Sequence, residues 1–120
     1  MKQQNTNPPS RIVNMGLGDF QQQVLDASAD FTVLADFWAD WCPPCIDIAP
    51  ILQKVLNETE EPVHLAKLEV DAGNNMRLAG HYQARGIPTI RLFTRGEERA
   101  RFIGAKSINY VEQFIAEYGR

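Results

Sequence analysis

Both cysteines of this 120-residue chain fall in one tetrapeptide, Cys42-Pro43-Pro44-Cys45, and the residues around it limit what can be built there. Upstream lies an apolar run, Phe31-Thr32-Val33-Leu34-Ala35, that reads as a buried strand. Downstream, Ile48, Ile51, Leu52, Val55 and Leu56 recur at helical spacing and predict a helix from Ile46 to Asn57. The cysteine pair therefore sits where a strand hands over to a helix N-terminus. Unpaired N–H groups and the positive end of the helix dipole favour an anion there, so a thiolate is stabilised. With Cys42 as N-cap, Pro43 falls at the first helical position, where its fixed φ suits the helix and its missing N–H is not needed. Pro43 also keeps Cys42 out of the helical region. Cys45 lies one turn along, close enough to close a disulfide with Cys42.

Thiolate attack through a mixed disulfide is how such a pair exchanges electrons, which makes the two residues candidate attacking and resolving thiols. Two other uses of the pair compete with this one. A structural disulfide closing so short a ring constrains the unfolded chain less than a long loop would. A zinc site would have to recruit His64 and His81, neither of which is at finger spacing, so no metal site is expected.

Asp36-Phe37-Trp38-Ala39-Asp40-Trp41-Cys42-Pro43-Pro44-Cys45, with Ile48-Ala49-Pro50, carries a resemblance to the thioredoxin family. The resemblance continues in Ala66-Lys67-Leu68-Glu69-Val70-Asp71, Arg85-Gly86-Ile87-Pro88-Thr89, Leu92-Phe93-Thr94-Arg95-Gly96-Glu97 and Gly104. These segments follow the family's order and spacing from about Val13 to near the C-terminus.

The predicted elements alternate as β-α-β-α-β-α-β-β-α, which implies an α/β fold: a mixed sheet with helices on both faces and right-handed crossovers. The expected strands are Arg11–Met15, a second ending at the cysteine motif, Val63–Val70, Thr89–Thr94 and Arg99–Ile103. The last two are joined by a short turn and so antiparallel. The expected helices are Asp19–Ala27, Ile46–Asn57, Asn75–Tyr82 and one capped by Ser107, with Ile108, Val111, Phe114, Ile115 and Tyr118 on its apolar face. Pro50 should kink the second helix. The resemblance adds the strand order 1-3-2-4-5. Residues 1–10 read as a flexible polar tail and 11–120 as one domain.

Asp36 interrupts an apolar strand. If it is buried rather than turned to a loop or to water, its pKa should rise toward the range a general base needs. Lys67, between Ala66 and Leu68, must either reach the surface or pair. The resemblance implies that Asp36 takes the proton of Cys45 and that Lys67 pairs with Asp36. It implies a cis Ile87–Pro88 bond, and a docking surface built from Trp41, Pro43, Pro44, Gly86, Ile87, Pro88 and Gly104, with Trp38 nearby. There an extended partner segment would bind through backbone groups. His64 and His81 are expected to be an ordinary strand residue and a surface residue.

The implied activity is reduction of disulfides in partner proteins by the dithiol. No bound cofactor is expected; the redox-active disulfide would be recycled by an NADPH-dependent flavoprotein, a thioredoxin reductase. Two readings stay beside this one: a thioredoxin-fold binding or chaperone-like module without turnover, and a disulfide oxidase or isomerase. Two departures from the family bear on potential and partner choice. Pro43-Pro44 stands where Gly-Pro is usual, and Ile46-Asp47 follows Cys45 where a Lys is frequent. With net charge −3, nucleic acid is not an expected partner, and Arg91, Arg95, Arg99 and Arg101 are expected on a solvated strand face with Glu97 and Glu98. No stretch has the roughly 20 apolar residues of a membrane span, and Met1 to Asn14 lacks a signal's apolar core. A cytoplasmic monomer is expected, and two cysteines at catalytic spacing suit a reducing compartment.

Overall fold

A computed structural model describes residues 10–73, 75–77 and 86–120. Its five strands are β1 (Arg11–Asn14), β2 (Thr32–Trp38), β3 (Val63–Glu69), β4 (Thr89–Thr94) and β5 (Glu97–Ile103). They form one sheet in the order β1-β3-β2-β4-β5. β3 runs parallel to both β1 and β2, while β4 is antiparallel to β2 and to β5. The order that the resemblance implied is therefore the order found. The strand ends differ slightly from expectation: β1 and β3 each stop a residue earlier, and β5 begins at Glu97, directly after a turn through Arg95 and Gly96 at positive φ.

Alternation along β2 divides the core. Val33, Ala35 and Phe37 join Phe20, Val24, Ala66, Leu68 and Phe93 on one face. Leu34 joins Leu65, Ile90, Leu92 and Phe102 on the other. A strand covered on both sides reads as a nearly continuous apolar run, as β2 does. Two helices cover the second face: α1 (Pro43–Glu58) through Ile48, Leu52, Val55 and Leu56, and α2 (Ile108–Tyr118) through Val111 and Phe114. Each such buried side chain contributes about 2–3 kcal/mol of transfer free energy. Phe114 also meets Phe102 edge-on at 4.9 Å between ring centroids. The helix α1 continues across the exposed Pro50.

The first face is covered by irregular helix. A 3₁₀ turn at Leu17–Asp19 leads into a π-helical stretch, Gln21–Asp26, and a second 3₁₀ turn, Ala27–Ala29. This replaces the regular helix expected over Asp19–Ala27. Buried Ser28 accounts for its end: the hydroxyl donates to the Leu25 carbonyl and accepts the Gly96 N–H, and its carbonyl accepts the Arg95 N–H. These bonds tie the segment to the β4–β5 turn. Of the helix expected over Asn75–Tyr82, residues 75–77 are helical; the rest, His81 included, lies outside the described residues. Among the described residues no helix is long and apolar enough to cross a membrane.

Arg91 corrects one expectation. It is buried in β4 rather than solvated, and its guanidinium pairs with Glu98 at 3.0 Å. Arg99 lies nearer the surface and donates to Thr94 and Glu97.

Candidate active site

The site forms where β2 ends. Cys42 takes extended backbone angles (φ −104°, ψ 105°) and is the N-cap of α1, with Pro43 at the first helical position. Its Sγ accepts the Cys45 N–H at 3.3 Å, the bond an N-cap side chain makes. The two cysteines form a disulfide with Cα atoms 5.3 Å apart. Both are buried, each about 4% exposed. Pro43 is exposed and Pro44 half-buried.

The loop before β4 reaches Cys42, and the end of β5 is bonded to that loop. The Ile87–Pro88 peptide bond is cis, and the Ile87 carbonyl oxygen lies 3.6 Å from Cys42 Sγ. The Pro88 carbonyl accepts the Gly104 N–H at 2.9 Å, binding this loop to the end of β5. Gly104 has φ +93°, which glycine adopts without strain. A Cβ on Gly86 would meet the Ile103 side chain at 3.0 Å, so a larger residue there requires Ile103 to shift. Thr89 donates its hydroxyl to the Gly86 carbonyl.

Trp41 is 63% exposed, and its indole N–H donates to the Asp71 carboxylate in the turn after β3. From sequence, Asp71 stands only in the Ala66–Asp71 segment that carries the resemblance and has no expected role at the site. An acidic residue just past a strand that ends beside the cysteines was the available signal. Ile46 and Met76 are also exposed apolar side chains.

Asp36 is buried in β2. Burial pushes its pKa up from 3.8 to about 7, against the opposing pull of Lys67. One carboxylate oxygen has no hydrogen-bond partner. Lys67 stands directly across from Asp36 in the β2–β3 register. The two do not form a contact ion pair, however; the Lys67 ammonium lies over the Trp38 ring, 4.7 Å from its centroid. Lys67 thus acts on Asp36 through space, not through a bond. His64 is an ordinary β3 residue, as expected: buried, 3.3 Å from Gln23 and stacked on Phe31. Burial and the Arg11 charge hold its pKa below the usual imidazole value. Among the described residues no group of three or more His, Cys, Asp or Glu side chains is placed to hold a metal ion.

A cysteine N-cap bonded to the first turn of its own helix and joined to the second cysteine by a disulfide is an arrangement for dithiol–disulfide exchange. The family model Thioredoxin matches residues 12–117. Thioredoxin from Pseudomonas aeruginosa is 39% identical over 104 residues, covering 87% of this chain and 93% of the relative. Thioredoxin from Chlorobaculum thiosulfatiphilum is 36% identical over 83% and 89% of the two chains. Among solved structures, the N21Q mutant thioredoxin from Halobacterium salinarum NRC-1 superimposes with a TM-score of 0.78 at 31% identity, over 96% of each chain. The chain belongs to the thioredoxin family and is a thiol–disulfide oxidoreductase that reduces protein disulfides.

Proposed function

We propose that Cys42 is the attacking thiol and Cys45 the resolving one, on the strength of the cap geometry: the Cys45 N–H points at Cys42 Sγ, where it stabilises a thiolate. The Cys42 thiolate attacks one sulfur of a partner's disulfide. The other partner sulfur leaves with the bonding electrons and takes a proton. Asp36 then accepts the proton of Cys45, and the Cys45 thiolate attacks Cys42 Sγ. The first partner sulfur leaves as a thiolate, and the Cys42–Cys45 disulfide is the oxidised product. Two electrons pass from dithiol to partner. With a pKa near 7, Asp36 is poised to take and return a proton near neutral pH. Lys67 tunes Asp36 from across the strand pair.

Partner segments dock on Trp41, Pro43, Pro44, Gly86, Ile87, Pro88 and Gly104, with the Ile87 backbone as the extended partner's pairing edge. This surface favours apolar neighbours of a disulfide and demands no particular sequence. Pro43 and Ile46 adjust potential and partner choice. An NADPH-dependent flavoprotein, a thioredoxin reductase, returns the protein to its dithiol form. The working unit is a monomer in the cytoplasm, formed by the single domain 11–120.

Reduction of insulin disulfides with dithiothreitol as electron source tests the core of this reading. Wild-type protein should turn over, and Cys42→Ser should lose at least about 1,000-fold, since the attacking thiolate is gone. Turnover that survives in Cys42→Ser would overturn the assignment of the nucleophile. Folded wild-type protein without turnover would favour a binding module that uses the same surface. Exchange of Pro43→Gly against glutathione should shift the equilibrium; no shift beyond error would remove Pro43 from the residues that set the potential.

A further inference from the structure

Trp38 lies two residues after Asp36 on β2, on the same side of the strand, and its ring is the surface on which the Lys67 ammonium rests. Asp36 and Lys67 face each other in the strand register, yet the cation sits on the ring instead of on the carboxylate. Two atoms mark the consequence: a carboxylate oxygen of Asp36 and the indole nitrogen of Trp38 are buried without hydrogen-bond partners. An orphaned buried carboxylate oxygen beside a cation held elsewhere is an arrangement that a simple ion pair would remove. A lysine over an indole face is electrostatically favoured, most so when both are partly removed from water, as here.

We infer that Trp38 is a positioning residue for the reductase reaction, its ring seating the Lys67 ammonium so that the lysine acts on Asp36 from a distance instead of neutralising it by contact. This deepens the reading of Asp36 as the proton acceptor and rests on it. A contact ion pair would hold Asp36 ionised at acid pH and make it a poor base. A lysine absent altogether would leave the carboxylate too basic to release its proton. The indole sets the intermediate case.

The charged neighbours are few. Lys67 is the charged group acting on Asp36 among the described residues. On β4, Ile90 stands opposite Asp36, and the adjoining end of α1 presents the two cysteines. Glu69, opposite Trp38 in the β2–β3 register, is the other charged side chain near the seat on β3.

The test follows the Asp36 carboxyl titration by NMR in the reduced full-length protein, for wild type, Trp38→Leu, Lys67→Met and the double variant. Losing the ring should free the lysine to approach Asp36. The Trp38→Leu titration should then move down by about one pH unit, the effect of a charge drawing about 2 Å closer at an effective dielectric constant near 20. In the Lys67→Met background the same Trp38 change should have little effect. An unchanged or upward titration in folded Trp38→Leu, or an equal downward shift without Lys67, overturns the proposal. If Trp38→Leu does not fold, two readouts remain. Trp38→Phe should give a smaller downward shift, and the wild-type Lys67 side-chain protons should be moved upfield by the indole ring current. Lys67 protons at ordinary positions overturn the seat. The pH profile of insulin reduction separates the two layers of the reading. If the Asp36 titration moves with Trp38 while the profile stays put, the seat stands and the role of Asp36 as proton acceptor falls.

Discussion

Asp36 and Arg91 are charged side chains buried in neighbouring central strands, on opposite faces of the sheet, and their surroundings treat them in opposite ways. Arg91 on β4 is bonded to Glu98, a partner on the adjacent strand that is itself partly open to water. Asp36 on β2 has a cation across the register that does not touch it and an oxygen with nothing to bond to. A buried charge with a bonded partner is locked in one protonation state and serves as structure. A buried charge whose partner is held off stays close to the point of losing or gaining its proton. The same sheet therefore contains a strut and, in the proposed reaction, a proton exchanger, and the difference lies in side-chain placement.

The largest effect should come from removing the strained charge. The gap between 3.8 and about 7 corresponds to about 4 kcal/mol. Between those values the folded chain holds a proton that the unfolded chain has lost. Stability is therefore full below pH 3.8, falls as pH rises toward 7, and carries the whole penalty at pH 8. Asp36→Asn should be more stable than wild type at pH 8 by up to about 4 kcal/mol, with the advantage fading toward pH 4. Urea titrations across that range would show it, and a pH-independent difference would show that the carboxylate is not the source. The same variant should lose roughly 100-fold in resolving the mixed disulfide at neutral pH, as expected for loss of a general base.

Breaking the strut should act with the opposite sign. Arg91→Met should cost about 2–3 kcal/mol, because Glu98 loses the partner that offset its partial burial. Adding Glu98→Gln should recover most of that loss. A double variant no better than the single would show that Arg91 contributes through packing alone; thermal unfolding of the three proteins decides it.

A smaller effect comes from comparing the two helix caps. Ser107 accepts the Tyr110 N–H at 3.1 Å, as Cys42 accepts the Cys45 N–H. Ser107→Ala should cost about 1 kcal/mol and leave reductase activity unchanged. Activity that fell with it would mean that α2 bears on the site.

The sequence exposed the cysteine junction unusually well, because the strand, the cap and Pro43 each have local signatures. Strand order did not follow from spacing: β2 reaches its place between β3 and β4 through contacts distant in sequence, and only the resemblance supplied it. Arg91 was misjudged because a strand within Thr89–Thr94 looks the same whether one face or both are covered, and burial is decided by what packs above it. The irregular helix before β2 escaped for a related reason. Its bonds from Ser28 run to Gly96, 68 residues away, and no local periodicity records them. The resemblance paired Lys67 with Asp36; the two are opposite in the strand register, and the choice between carboxylate and indole depends on side-chain geometry.

The cap on α1 bears on how long a partner stays attached. With Cys42 and Cys45 in the proposed roles, the partner's sulfur in the mixed disulfide is bonded to the atom that caps the helix, and the residue that displaces it is already held within that first turn. Release is then an intramolecular step, with an effective concentration of attacking thiol far beyond any a second molecule could reach. The residence time of the covalent complex is set by the protein's own helix, so a sparse, forgiving surface suffices to serve many partners.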